Sequence, residues 1–329
     1  MIQKISASSR RSLVVAVLLT LSAVSTAGAQ GFTLTGTLFH ATAEDSTGLP
    51  GSNVLLHAVT NFGGAAIDSA DTDRNGRYRF FVSHPDTSAE YFVSVEHDDI
   101  GYFSSVIRMF PGGADSVPTI VVYDTTYAEP VIELRERHII VRHQETDGTR
   151  QFIELVTLVN GGRTTRIAAD TSTPVWEGLL PAGAFDISVG QSDVGVGAIY
   201  PRGASLAIAA PVTPGQKQVL FSYLVPRVDG RLGIPIDQPM DRLTVSIQDT
   251  TATAEGPGLM LFGLENVGGT VFKRYDAERV SQNSIVSLQF RQPFLSTKNA
   301  ILMLVAAVAL LLSGTLTWWY RKNVQKTPH

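Results

Sequence analysis

Residues 32–39 read FTLTGTLF, and their alternation decides the fold. Phe32, Leu34 and Leu38 fall on one face, and Thr33, Thr35 and Thr37 on the other. A strand with one face on a core and one in water has this period of two. The pattern recurs in SNVLLHAV, GAAIDSA, GRYRFFV, EYFVSV and TIVVY, each bounded by Gly, Pro, Asp or Asn turns. No helical period longer than about two turns stands between residues 30 and 297. Short strands at such spacing predict an all-β chain of two or three β-sandwich domains in tandem.

The ends of the chain have a different texture. Lys4, Arg10 and Arg11 precede an apolar run at 13–24, and Ala27-Gly28-Ala29 supplies a small-x-small cleavage pattern. This is the composition of a secretory signal peptide over 1–29, with Gln30 as the first mature residue. At the other end, 299–320 reads NAILMLVAAVALLLSGTLTWWY, 22 residues without a charge. As a helix it reaches about 33 Å, against a hydrocarbon core of about 30 Å. Trp318, Trp319 and Tyr320 suit the headgroup level, and Arg321, Lys322 and Lys326 form the positive flank expected in the cytoplasm. The expectation is a single-pass protein of the cytoplasmic (inner) membrane. Its amino-terminal domains are periplasmic or extracellular, and 321–329 is a basic cytoplasmic tail. The linker at 292–298 carries no LPxTG-like or Pro-Glu-Pro sorting signal.

Charge and cysteine bound the chemistry. The chain has no Cys, which removes disulfides, thiolate metal sites and thiol catalysis together. Of its 26 Lys+Arg, three lie in the leader and four at or after Lys298, whereas all 30 Asp+Glu lie between, leaving the exported part near −11. That field speaks against nucleic acid as a partner. Nucleophile elbow, P-loop, dinucleotide fingerprint, HExxH and Ser-x-x-Lys patterns are all missing from the sequence. The expected function is therefore non-enzymatic and without a cofactor.

Between 31 and 125 the residues carry a family likeness. Gly36 opens a strand, Gly48-Leu49-Pro50-Gly51 precedes the second, and Thr-Asp-x-x-Gly-x-Tyr-x-Phe runs over 72–80. This stretch resembles the carboxypeptidase regulatory-like domain, a transthyretin-like (prealbumin-like) sandwich classed with carbohydrate-binding-like folds. The resemblance implies a non-catalytic module of a bacterial surface protein. No His in the chain is followed three residues later by Glu, so the zinc motif of the associated peptidases is missing.

Within that hairpin, Asn75-Gly76 is a strong turn dipeptide. Asp71, Asp73 and Asn75 also match the first half of a calcium loop, but Val82 stands where the bidentate Glu belongs. Asp98-Asp99 reads as a pair of exposed loop acids. His138 and His143, five apart on an extended strand, point to opposite faces and make no metal pair. Trp176, Tyr102 and Phe103 are candidates for stacking on sugar rings, with core packing as the competing role.

After Pro130 a second sandwich is expected over 130–226, opening with two long strands around Asp147-Gly148. A membrane-proximal β module follows over 227–292, either independent or packed on the second as one unit; about 65 residues are marginal for a core alone. The partners expected are the lipid bilayer and a protein or polysaccharide of the cell envelope. An accessory subunit of a membrane complex, recruited through 299–320 at Ser313-Gly314-Thr315, is the alternative. Intact-mass spectrometry of the protein purified from membranes should give a chain beginning at Gln30; a chain beginning at Met1 would contradict the cleavage.

Overall fold

A computed structural model describes residues 31–42, 44–108, 116–170, 172–226, 230–290 and 304–309. The protein is all-β and β-sandwich-like, and it divides into two compact units at Asp124/Thr125. Among the described residues no helix is long and apolar enough to cross a membrane. Residues 304–309, inside the expected span, are helical. The rest of that span, its flank at Trp318–Lys322 and the leader with Ala27 and Ala29 lie outside the described residues.

The first unit holds β1 (Phe32–Ala41), β2 (Ser46–Gly48), β3 (Asn53–Thr60), β4 (Gly63–Asp71), β5 (Arg77–Val82), β6 (Glu90–His97), β7 (Ile100–Phe103) and β8 (Ile120–Tyr123). One sheet has the order β2-β1-β5, with β8 parallel to β1; the other runs β4-β3-β6-β7. Leu34 and Leu38 on β1, Val54 and Leu56 on β3, and Val93 and Val95 on β6 are buried, each pair two or four residues apart as the pleat requires. Gly36 pairs with Tyr78 across β1 and β5, and a Cβ at Gly36 would collide with the tyrosine ring. Glycine is needed there so that the aromatic can lie over the opposite strand.

The second unit holds β9 (Thr125–Thr126), β10 (Ile132–Gln144), β11 (Arg150–Asn160), β12 (Thr165–Arg166), β13 (Trp176–Leu179), β14 (Phe185–Val189), β15 (Ile199–Arg202) and β16 (Ser205–Ile208). It continues with β17 (Gly215–Val225), β18 (Arg231–Ile236), β19 (Met240–Ile247), β20 (Thr253–Glu255), β21 (Met260–Val267), β22 (Thr270–Val280) and β23 (Ser284–Gln289). Its main sheet has seven strands in the order β14-β17-β11-β10-β19-β22-β21. Two three-stranded sheets, β13-β16-β15 and β18-β23-β20, add to the same hydrophobic core. Of the described strands in 227–292, whose independence the sequence left open, β19, β21 and β22 thus share a sheet with β10, β11, β14 and β17. The join is the parallel pairing of β10 with β19, Glu136 to Val141 against Arg242 to Ile247.

A shift in the β10–β11 register between Leu134 and Glu136 turns Arg137 into the core. There Arg137 Nε and Nη2 donate to Glu154 Oε2 and Oε1 at 2.7 and 3.0 Å. Tyr223 Oη donates to Glu154 Oε1 at 2.6 Å, and Arg137 Nη1 donates to the Pro235 carbonyl at 3.0 Å. Arg137 is 4% exposed and Glu154 fully buried. Burial works against the Arg137 charge, the Glu154 carboxylate more than offsets it, and the guanidinium stays protonated. Burial pushes the Tyr223 hydroxyl well above the ordinary phenol range, so it remains a donor. Removing one partner of a buried ion pair costs about 3–5 kcal/mol because the other is left uncompensated. Arg137→Met should lower the urea stability of the second unit by about that amount. The triple variant Arg137→Met, Glu154→Leu, Tyr223→Phe should recover most of the loss; equal losses in both would contradict this account.

Candidate functional site

The second unit exposes an apolar strand at one edge of its main sheet. β21 pairs only with β22, so its other backbone edge is unpaired among the described residues. The turn between them is Gly268-Gly269, both at positive φ (58° and 85°), as the tight two-residue hairpin turn demands. β19 reaches along β22 only as far as Lys273, so the hairpin end at 264–272 runs past the sheet that carries it. A register break between Leu261 and Gly263 leaves Phe262 as the extra residue of a bulge. Met260, Leu261, Phe262, Leu264 and Val267 are each 57–74% exposed. Strand edges in water are usually guarded by charge, proline or brevity. This one has Glu265 alone among its eight residues.

β22 supplies the polar support. The Arg274 guanidinium lies 4.8 Å from the Phe262 ring centroid. Its Nε donates to Asp276 Oδ1 at 3.0 Å, and its Nη1 reaches Glu265 at 3.4 Å. The bond to Asp276 holds Arg274 above the ordinary guanidinium range. Thr244 Oγ1 donates to the same Asp276 oxygen at 2.8 Å, tying the hairpin to β19. The arrangement offers an incoming extended chain unpaired backbone groups flanked by apolar side chains. Elsewhere in this unit a groove of about 540 Å³ opens between Val131, Leu134, Met240 and Val280, spanned by the Arg135–Asp241 ion pair at 3.4 Å.

The residues singled out by sequence have mostly local roles. Asp73 Oδ1 accepts the amides of Asn75 and Arg77, both at 2.8 Å, and these bonds hold its carboxyl below the usual range. Asp71 accepts from Asn53 Nδ2 at 3.0 Å. Asp73 holds the turn that Gly76 at φ 74° completes, whereas Asp71 ties β3 to β4; the turn expected as a hairpin instead passes the chain from one sheet to the other, because β4 and β5 do not pair. Trp176 is buried and donates to Gln238 at 2.8 Å, and Tyr102 is buried with its hydroxyl on the Tyr123 carbonyl at 3.3 Å. Phe103 is exposed, edge-on to Phe92, which stacks on His57. His138 shares a hydrogen bond with Ser246 at 3.0 Å, while the His143 side chain is exposed.

One constellation was missed. His40 Nε2 and Asp124 Oδ1 are 2.8 Å apart, and the His40 and His97 rings meet edge to face at 4.9 Å between centroids. The ligand atoms of His40, His97 and Asp124 all lie within 4.8 Å of one another. The available signal was register: His40 follows Leu38 by two, His97 follows Val95 by two, and Asp124 follows Val122 by two, always on the core-facing side. Asp98-Asp99, read as loop acids, both take positive φ (51° and 60°) and form the two-residue turn that ends β6 at His97.

Neither the protein-family models nor the curated proteins compared with this chain gave a match. Because the β21 side chains face water, Leu264→Lys should change folding stability by under about 0.5 kcal/mol. Urea unfolding of this variant beside the parent chain checks this; a larger loss would mean that Leu264 is covered.

Proposed function

We propose that this chain is a non-enzymatic, membrane-anchored envelope protein whose exported β-sandwiches bind a partner protein by strand addition at β21. The observation that carries the reading is the unpaired β21 edge with Met260, Leu261, Phe262, Leu264 and Val267 exposed along it. Backbone pairing gives such an interaction its affinity, and alternate side chains give it selectivity. The leader at 1–29 and the apolar run at 299–320 support an exported, anchored location, with the basic tail in the cytoplasm. The resemblance of 31–125 to carboxypeptidase regulatory-like domains supports a role without catalysis. Bulged, exposed and apolar, the edge favours a protein over an envelope polysaccharide, whose recognition calls for polar groups around a stacking ring.

The alternative, an accessory subunit recruited through its membrane helix, draws on Ser313-Gly314-Thr315 as a place for close helix approach. Co-purification from membranes, using the detergent-solubilised full chain, separates the two. Leu264→Lys should cut recovery of the partner at least tenfold, and a swap of 299–320 for an unrelated span should leave recovery unchanged. The reverse pattern would establish the accessory-subunit reading. Recovery of polysaccharide that ignores Leu264→Lys would overturn strand addition.

A further inference from the structure

We propose that His40, His97 and Asp124 bind one divalent transition-metal ion of the zinc class at one end of the first unit's core. Three strands deliver the ligands. β1 carries Leu34 and Leu38 into the core and then His40; β6 carries Val93 and Val95 and then His97. β8 carries Ile120 and Val122, and Asp124 follows on the same side. Each apolar series ends in a metal-ligating side chain, and the three ends coincide. The parallel pairing of β1 with β8, His40 beside Val122, sets the distance between His40 and Asp124.

The geometry suits a small ion. A tetrahedral zinc with bonds of about 2.0–2.1 Å holds its ligand atoms about 3.3 Å apart. The ligand atoms lie within 4.8 Å of one another and the His40–Asp124 pair at 2.8 Å, so the three bracket that spacing. His97 Nε2 is buried and has no hydrogen-bond partner among the described residues; the Asp98 carboxylate is 3.9 Å away, beyond hydrogen-bonding reach. A buried nitrogen lone pair or N–H without a partner is unfavourable, and a metal bond would satisfy the nitrogen. Two imidazoles with one carboxylate select zinc, cobalt or nickel over calcium and magnesium, which take oxygen sets. Three protein ligands leave a fourth position for water. Side chains of His97, Asp98 and Asp124 are 20%, 51% and 48% exposed, so the ion has a route from solvent. The Asp98 and Asp124 carboxylates stand beside the two imidazoles, and such oxygens favour a cation. The inference is independent of the β21 edge.

Cobalt(II) is the probe, because a tetrahedral site gives it intense visible absorption bands. The full chain, stripped with chelator, should bind one equivalent of cobalt with such bands, and zinc should displace it. His97→Ala, His40→Ala and Asp124→Asn should each weaken binding at least tenfold. His57→Ala, whose ring stacks on Phe92 outside the cluster, should leave it unchanged. Should an alanine variant fold poorly, two thermal-melt series settle the matter: zinc should raise the Tm of the parent chain and not that of the better-filling His97→Gln. Failure of zinc to shift the parent Tm, or one-equivalent binding that survives loss of both histidines, would overturn the site.

Discussion

The buried pair of Arg137 and Glu154 is the constraint on which the second unit depends. Taking two charges out of water is expensive, and only close geometry with every remaining donor and acceptor satisfied offsets the cost. Here the bidentate contact, the Tyr223 hydroxyl and the Pro235 carbonyl supply those partners. The four residues lie on β10, β11, β17 and β18, so the pair ties the main sheet to the strand that begins the next one. It also forbids slippage. A shift of β10 by one residue would turn every side chain over and leave Glu154 buried without its cation.

Once β10 is held in this register, the outer strands follow. Its free side takes β19 in parallel, β19 takes β22, and β22 takes β21, where the sheet stops. The two edges then differ. Both edge strands carry a register break, but β14 has only five residues. β21 is longer, continues past β19 in its hairpin and presents apolar side chains to water. Natural sheets manage open edges because they recruit other chains. The proposed strand addition rests on this open edge.

Strands were legible where one face is buried. FTLTGTLF, GRYRFFV and EYFVSV each put alternate residues in the core, and Asn75-Gly76 turned where two residues tolerant of positive φ stand together. That β19, β21 and β22 continue the sheet of β10 and β11 was not legible, because the parallel β10–β19 pairing joins segments about a hundred residues apart with no local signature. Nor was the inward turn of Arg137. The alternation of Ile132 and Leu134 with Glu133, Arg135 and Arg137 reads as one charged, solvated face, and the bulge, which sequence does not announce, overturns that reading at the buried Arg137. The His40–His97–Asp124 cluster escaped for the same reason: three strands contribute one ligand each, and none of the spacings resembles a metal motif. Trp176 and Tyr102 were open between sugar stacking and core, and burial decided for core.

β21 is an open edge of the seven-stranded sheet, and native-state hydrogen exchange on the full chain tests this most directly. The outward-facing amides of β21 should exchange orders of magnitude faster than those of β10 and β11, which sit between two paired neighbours. Protection of the β21 amides equal to that of β10 in the isolated chain would mean that the edge is already covered, and the account of its function would fall.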